Sequence, residues 1–538
     1  MIHAPAVNLL VSMNTTLHCL WLCRTHNIYI AVLIFLDIIL YCSILILIGG
    51  ILMAVFSDSD ILTILRDQNP WWSSGAIPSP LEKPYHRGEY YETSRVFTHQ
   101  IRRFPVLSGL RRVGKSSILY QMIGDLLRSG IDPVKILYVS LDTAVLSEAG
   151  LLRSLHLYRS VINNDPEFYF FADEIQKDSD WASVMKHVYD TFPAARAVAT
   201  GSASGRIEKK YHETGEGRLH LIKVPTLSFY DYCAMREMDI PNPGIDDLFS
   251  LHTLPQSVQA SVMMKLSGLS SAMHSYFRLG GFPEFVNASP ADESYLLSLI
   301  AENVINKAIY TDLADERVNP SQLRKLFIYL CNTTSNQLNI DEMCSQLGGL
   351  SPITAGKYLD ILESTNLIYR SWPVLQGGKK ALKAQAKIYI ADTGIRESIM
   401  SGLHPQDDPI QLGYIVESSA YKHTVDYCRV KNLTWSVGYL RPQSSRNREG
   451  EETDIVLCDR HGIFQLVESK YRNNPTVKDT DMILKAALPD RPGYIITKSP
   501  DDFGLTIRNQ SRIYRIPAPA YLYLMGFMQH NTNKSLHV

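Results

Sequence analysis

"GLRRVGKSS", Gly109 to Ser117, fills the pattern G-x-x-x-x-G-K-[ST] with Gly109, Gly114, Lys115 and Ser116. Two glycines let the backbone curl until successive N–H groups point at phosphate oxygens, and a helix starting there adds its positive end. The lysine of such a loop reaches the β/γ-phosphates, and the hydroxyl of Ser116 would ligate Mg2+. The pattern carries this meaning only between a strand and a helix, and both flanks fit. "FPVLS" (Phe104 to Ser108) has strand length, and Ile118, Leu119, Met122, Ile123, Leu126 and Leu127 recur at three- and four-residue steps, as one buried helix face requires. The candidate nucleotide contacts are Gly109, Arg112, Gly114, Lys115, Ser116 and Ser117.

A phosphate cradle of this kind works with a buried strand that ends in an acid. "FYFFADEIQ" (Phe168 to Gln176) is such a strand, ending in Asp173 and Glu174. Asp173 is expected to orient Mg2+, and Glu174 to accept a proton from the attacking water as general base. "KILYVSL" (Lys135 to Leu141) and "ARAVATGSAS" (Ala195 to Ser204) add two strands, the second after a helix that includes Trp181, Val184, Met185 and Val188. Strands alternating with helices predict a parallel, doubly wound sheet. Thr200 and Ser202 then close a strand, either to sense the γ-phosphate or attacking water or as an ordinary polar strand end.

The whole chain has 538 residues, room for three or four domains. With 45% hydrophobic and 20% charged residues it is globular in composition, and a formal charge of −1 excludes a globally basic nucleic-acid binder while allowing local basic patches. Eight scattered cysteines form no CxxC or Cys/His spacing. That predicts reduced thiols in the cytoplasm and no structural zinc.

The first fifty residues differ in character. Residues 38–56 carry no charge and approach the length that spans a bilayer. Asp37 would cost about 2.5–3.5 kcal/mol inside a span, so the shorter segment is the candidate anchor. Met53 opens "MAVFSDSDILTILRDQNPWW", which reads as the start of a soluble protein. Residues 1–56 are thus a leader, either a transmembrane helix or an over-extended start.

With the nucleotide motifs placed, the chain from about Ile61 to Tyr523 resembles prokaryotic AAA-type P-loop ATPases with a C-terminal winged helix and a PD-(D/E)XK nuclease-like domain. The resemblance rests on "LRDQNPWW", "GLRRVGKSS", "FADEIQ", "ATGSAS", "VPTLSFYDY", "LGGFPEFV", "KIYIADTGI", "GYIVESSAY" and "TDIVL" with "LVESK". It implies ATP and Mg2+ as cofactors, and a homo-oligomer in which a neighbour's arginine meets the γ-phosphate. Arg218 is the candidate for that role, with Arg206 and Arg196 as alternatives, and the adenine pocket is sought near Arg87 and "NPWW".

Between Gln322 and Asp392 the residues support part of this picture. Leu323, Leu326, Phe327 and Leu330 make one helical stripe, Ile340, Met343 and Leu347 a second, and Ser351 with Pro352 opens a third helix carrying Ala355, Tyr358, Leu359 and Leu362 inward. "NLIYRSWPVL" reads as a following strand. Three helices and a ribbon predict a winged helix whose third helix meets duplex DNA, with Thr354 and Lys357 outward. Lys379, Lys380, Lys383 and Lys387 form a patch for phosphates. A packing module between domains is the other reading.

"TDIVLCDRHGIFQLVESK" (Thr453 to Lys470) reads as a hairpin, with Asp454 on the first strand and Glu468 and Lys470 two apart on the second. Paired carboxylates can hold Mg2+ through hard oxygens. The trio resembles the PD-(D/E)XK core, with Glu417 as its helical acid, and implies a metal site of Glu417, Asp454 and Glu468 with Lys470 beside it.

The expected architecture is an α/β multidomain chain: leader 1–56, P-loop ATPase core 57–235, helical lid or linker 236–320, winged helix 321–395, and a restriction-endonuclease-like α/β domain 396–538. The expected activity is Mg2+-dependent ATP hydrolysis coupled to DNA binding, with DNA cleavage as a second, separable activity. The alternatives are a regulatory ATP switch that binds DNA or a protein, and a membrane-tethered ATPase with an inactive C-terminal domain.

Overall fold

The ATPase core begins where alternating helical and strand patterns begin. In the computed structural model, residues 56–202, 205–215, 217–312, 318–374, 385–400, 408–431, 436–441, 452–473, 475–479, 481–486, 490–508 and 510–537 are described. Helix α1 (Gly88–Thr98) leads into β1 (Phe104–Gly109), and the glycine loop joins β1 to α2 (Lys115–Arg128). There follow β2 (Ile136–Ser140), α3 (Ala144–Val161), β3 (Tyr169–Asp173), α4 (Trp181–Thr191), β4 (Arg196–Ser202), α5 (Gly205–Lys210), β5 (Leu219–Lys223) and α6 (Phe229–Met235). Helix α2 buries Ile118, Leu119, Met122 and Ile123, the face its spacing predicts.

The five strands form one sheet in the order β2-β3-β4-β1-β5, and every pair is parallel. Parallel sheets are covered on both faces, which is why these strands read as continuous apolar runs. Strand β4 lies between the loop strand β1 and the acid strand β3. Its end therefore separates the glycine loop from Asp173 and brings Thr200 and Ser202 between them.

Helix α7 (Ser270–Leu279) ends at the Gly280-Gly281 pair. Helices α8 (Pro320–Asn332), α9 (Ile340–Gln346) and α10 (Pro352–Ser364) precede the antiparallel ribbon of β6 (Ile368–Ser371) and β7 (Lys387–Ile390). Leu323, Leu326, Phe327 and Leu330 are fully buried, as are Met343, Ala355 and Leu362. Ile340 departs from the expected stripe and is exposed, because it occupies the first turn. Ser351 caps α10 by accepting the Thr354 N–H at 3.1 Å. Helix α10 runs beside α5 of the core.

Past α11 (Thr393–Met400) and α12 (Pro409–Lys431) stands a six-stranded sheet. Its strands are β8 (Ser436–Leu440), β9 (Thr453–Asp459), β10 (Gly462–Ser469), β11 (Gly493–Thr497), β12 (Gly504–Arg508) and β13 (Ser511–Pro517), ordered β12-β13-β11-β10-β9-β8. The predicted hairpin is β9–β10, with Ile455 opposite Val467. Val456 is as buried as Ile455 and Leu457, since the sheet is covered on both faces: Ile455 and Leu457 join one core, Val456 and Leu466 another.

The closing helix α13 (Ala518–Ser535) is buried on nearly all sides and packs on α12, α6 and α1. Gln529 Nε2 donates to Glu89 Oε1 at 3.2 Å, so the C-terminal end of the chain returns to the ATPase core. Residues 61–538 form one compact unit for this reason. No helix among the described residues is long and apolar enough to cross a membrane. The candidate anchor at 38–56 falls outside the described residues except for Phe56.

Candidate nucleotide site and C-terminal carboxylate cavity

The glycine loop turns at Gly114, whose φ of +91° lies in the left-handed region. Helix α2 starts at the next residue, so the N–H groups of Lys115, Ser116 and Ser117 stand at a positive helix end. Lys115 is buried and donates to the carbonyls of Gly109 at 3.1 Å and Leu110 at 2.7 Å. Arg112, also at positive φ, pairs with Glu284 of the "GGFPE" string.

Asp173 is 3% exposed and collects donors from four places. Its Oδ2 accepts from Ser116 Oγ at 2.7 Å and Tyr138 OH at 2.9 Å, and its Oδ1 accepts from Thr200 Oγ1 and, at 3.0 Å, Glu174 N–H. A buried carboxylate is stable only with such partners. Two hard oxygens in contact, at a helix N-terminus, fit Mg2+ beside a phosphate. Burial, then the Asp173 charge, raises the Tyr138 phenol well above its ordinary range, so it stays a donor.

Glu174 takes a left-handed conformation, φ +56°, which turns it off the strand axis. Gln176 Nε2 donates to Glu174 Oε2 and, at 3.3 Å, to Ser202 Oγ, while Gln176 Oε1 accepts the Ser202 N–H at 3.1 Å. Ser202 thus meets Glu174 through Gln176. Gln176 belongs to "DEIQ" but is not among the expected site residues; its signal is the spacing of two from Glu174 at a strand end. Tyr138 in "KILYVSL" and Glu284 in "LGGFPEFV" are likewise additions to the expected site.

Arg218 stands at the start of β5, where its carbonyl accepts from Phe104 N–H at 2.9 Å; this is the end of the sheet opposite the glycine loop, and its side chain pairs with Asp190 at 2.9 Å. Arg196 begins β4 at the same far end. Arg87 is buried against the glycine loop, donating to Val113 O at 2.8 Å and Pro225 O at 2.9 Å and pairing with Glu89 at 2.5 Å. Trp71 and Trp72 both donate from Nε1 to Ile136 O, at 3.1 and 2.8 Å, at the start of β2.

The loop that follows α7 reaches two ways. Glu284 holds Arg112, and Asp392 accepts the N–H of Gly281 at 3.0 Å and of Gly394 at 2.8 Å. Gly280 has φ +70°, and a Cβ there would overlap Asp392 Oδ1.

The C-terminal acids gather around a cavity of about 980 Å³, lined by Glu417, Glu452, Asp454, Glu468 and Lys470, with Arg441 and Lys498 also on its wall. Antiparallel register places Asp454 and Glu468 on facing strands. Asp454 Oδ2 accepts the Ser469 N–H at 3.0 Å. Lys470 Nζ lies 2.9 Å from Glu468 Oε1 and 2.8 Å from Asp481 Oδ2. Burial and Asp454 raise the Glu417 carboxyl to about 7; burial, against Lys470, raises Glu468 to about 8.

The expected metal trio of Glu417, Asp454 and Glu468 shares the cavity without forming a common ligand set. Among the described residues no three His, Cys, Asp or Glu side chains converge as metal ligands do. Instead Lys387 Nζ stands 3.0 Å from Glu417 Oε1, 2.9 Å from Glu452 Oε1 and 3.0 Å from Asp454 Oδ1. The donor chemistry suits a hard cation, but an ammonium already spans it. Lys387 therefore leaves the expected phosphate patch, and Lys379, Lys380 and Lys383 fall outside the described residues.

Residues 102–233 match the AAA domain family. They contain β1, the glycine loop, Asp173 and all five strands. The core is an AAA-type P-loop ATPase domain. Residues 270–407 match a domain of unknown function (DUF8612), a span that takes in the Gly-Gly loop, α8 to α10 and β7. An uncharacterised protein of Haemophilus influenzae is 26% identical over 300 residues, 54% of this chain and 68% of its own length. An uncharacterised protein of Methanocaldococcus jannaschii is 23% identical over 340 residues, 62% and 69% of the two chains. A Walker-type ATPase of Pyrococcus abyssi matches 58% of this chain and 95% of its own at 16% identity and a TM-score of 0.34. The assignment of the AAA-type domain rests on the family match and the site's geometry.

Proposed function

We propose that this protein binds and hydrolyses ATP at the glycine loop and is an ATPase linked to nucleic acid through its C-terminal half. The observation that carries the reading is the 2.7 Å contact of Ser116 Oγ with Asp173 Oδ2, loop and acid strand meeting across β4. Ser116 and Asp173 would hold Mg2+, which neutralises charge on the phosphates. The N–H groups of Gly114, Lys115, Ser116 and Ser117 and the Lys115 ammonium cradle the phosphates. Glu174 takes the proton from the attacking water, and Gln176, anchored on Ser202, sets its carboxylate.

Arg206 is the candidate that a neighbouring copy would use in a homo-oligomer, since α5 follows Ser202 at the nucleotide end of the sheet. In this reading α8 to β7 are a winged helix and the six-stranded domain is nuclease-like. The exposure of Lys357 supports duplex contact by α10. Arg441 and Lys498 on the cavity wall support a phosphodiester strand there.

Steady-state ATP hydrolysis by the full chain and by Glu174→Gln, each with and without duplex DNA, tests the proposal. Turnover that needs Glu174 and rises with DNA is the expected result. Turnover indifferent to DNA would end the nucleic-acid part, and no turnover in either protein would leave a nucleotide-binding switch.

A further inference from the structure

The cation that joins three acids of the C-terminal cavity wall is itself buried and takes no part in the nucleotide site. Lys387 opens β7 and is 1% exposed. It spends its three N–H donors on Glu417 of α12, Glu452 ahead of β9, and Asp454 of β9, each at 2.9–3.0 Å. An ammonium has three donors and no acceptor, so its capacity is filled. Tyr389, two residues along β7, donates to the same Glu417 Oε1 at 2.9 Å. Carboxylates this close repel unless a cation lies among them. Here the cation is covalently part of the chain.

Glu468 completes the observation. Its Oε1 meets Lys470, whereas its Oε2 is buried and has no hydrogen-bond partner. An orphaned carboxylate oxygen on a cavity wall is a cation ligand waiting for company. Lys387 holds one oxygen of each neighbour that would supply that company, Glu417 Oε1 and Asp454 Oδ1.

We propose that Lys387 is the resident counter-ion of this cavity and excludes a divalent cation from Glu417, Asp454 and Glu468. The cavity then takes its phosphodiester ligand on its wall cations without metal, and the position of β7 decides whether the acids are available. β7 pairs with β6 along its length, and just beyond it Asp392 accepts the Gly281 N–H of the loop that holds Arg112. The inference does not depend on ATP hydrolysis, so failure of the ATPase assay leaves it standing.

The test is a Mn2+ titration of the nucleotide-free full chain, read by electron paramagnetic resonance of free and bound ion. Wild type, Lys387→Met and Lys387→Gln are compared, each alone and combined with Glu468→Gln. The expected result is no Glu468-dependent site in wild type and a new one in Lys387→Met, at least about tenfold tighter than any residual wild-type binding, that Glu468→Gln removes. Lys387→Gln, nearly isosteric and neutral, gives the same gain if the Met variant misfolds. A purely structural lysine would yield lost fold and no gained signal. A Glu468-dependent site in wild type that the neutral variants fail to tighten overturns the proposal. So does the absence of any such site in all of them, because the ammonium would then not be what excludes the ion.

Discussion

Gln176 ties Glu174 to Ser202: one amide donates to Glu174 Oε2 and to Ser202 Oγ at 3.3 Å, and accepts the Ser202 N–H at 3.1 Å. The acid that ends one strand is thus steered by the serine that ends its neighbour. Glu174→Gln should keep nucleotide affinity and lower kcat by about 10²–10⁴-fold, the usual worth of a positioned base. Gln176→Ala should lower kcat less, with KM nearly unchanged. Equal loss in KM and kcat would contradict a positioning role.

Asp173 gathers Ser116, Tyr138 and Thr200 around one carboxylate. Asp173→Asn should abolish Mg2+-dependent turnover. Binding of a fluorescent ATP analogue in EDTA should persist, because the loop N–H groups and Lys115 remain. Loss of binding in EDTA as well would show that Asp173 holds the loop together rather than the ion.

Arginine placement gives a contrast. Arg206→Ala should cut turnover by about 10³-fold or more if it serves a neighbour's phosphate, and mixing its subunits with a Glu174→Gln variant that keeps Arg206 should restore it. Arg218→Ala should turn over as wild type, since Asp190 already holds the Arg218 guanidinium at 2.9 Å.

Gly280 turns at φ +70° directly against Asp392. Gly280→Ala forces both a strained backbone and an overlap, and should cost more than about 1 kcal/mol. The Tm of the full chain should fall. An unchanged Tm would mean the loop shifts freely.

His423 links α12 to the core: Nε2 accepts the Phe229 N–H at 2.8 Å and Nδ1 faces Ser419 O at 2.7 Å. Burial, with Lys422 nearby, pulls it from 6.5 to about 3. The unfolded chain therefore takes up the proton first, and this stability is complete above about pH 6.5 and declines as pH falls toward 3, by at most about 1.4 kcal/mol per pH unit. Thermal melts at pH 7 and pH 5 should show the drop, and His423→Gln should flatten it.

The local parts of the site were legible because the physics that makes them is local. A glycine loop between an apolar run and a 3.6-residue stripe, or an apolar strand ending in Asp173 and Glu174, specifies its conformation within about ten residues. The stripes of α8 and α10 and the β9–β10 hairpin follow the same rule. The place of Trp71 and Trp72 at the start of β2 was not legible, because their partner Ile136 lies 65 and 64 residues away in sequence.

By itself, the sequence determined an AAA-type core with its phosphate cradle and acid strand, since backbone curl, helix periodicity and strand burial are set by neighbouring residue types. Tertiary structure alone decided which charges meet. Lys387 and Glu417 are 30 residues apart, and Lys387 and Asp454 are 67 apart. A lysine reads as a surface phosphate contact until the fold withdraws it from water, and then it must find carboxylates wherever the sheet brings them.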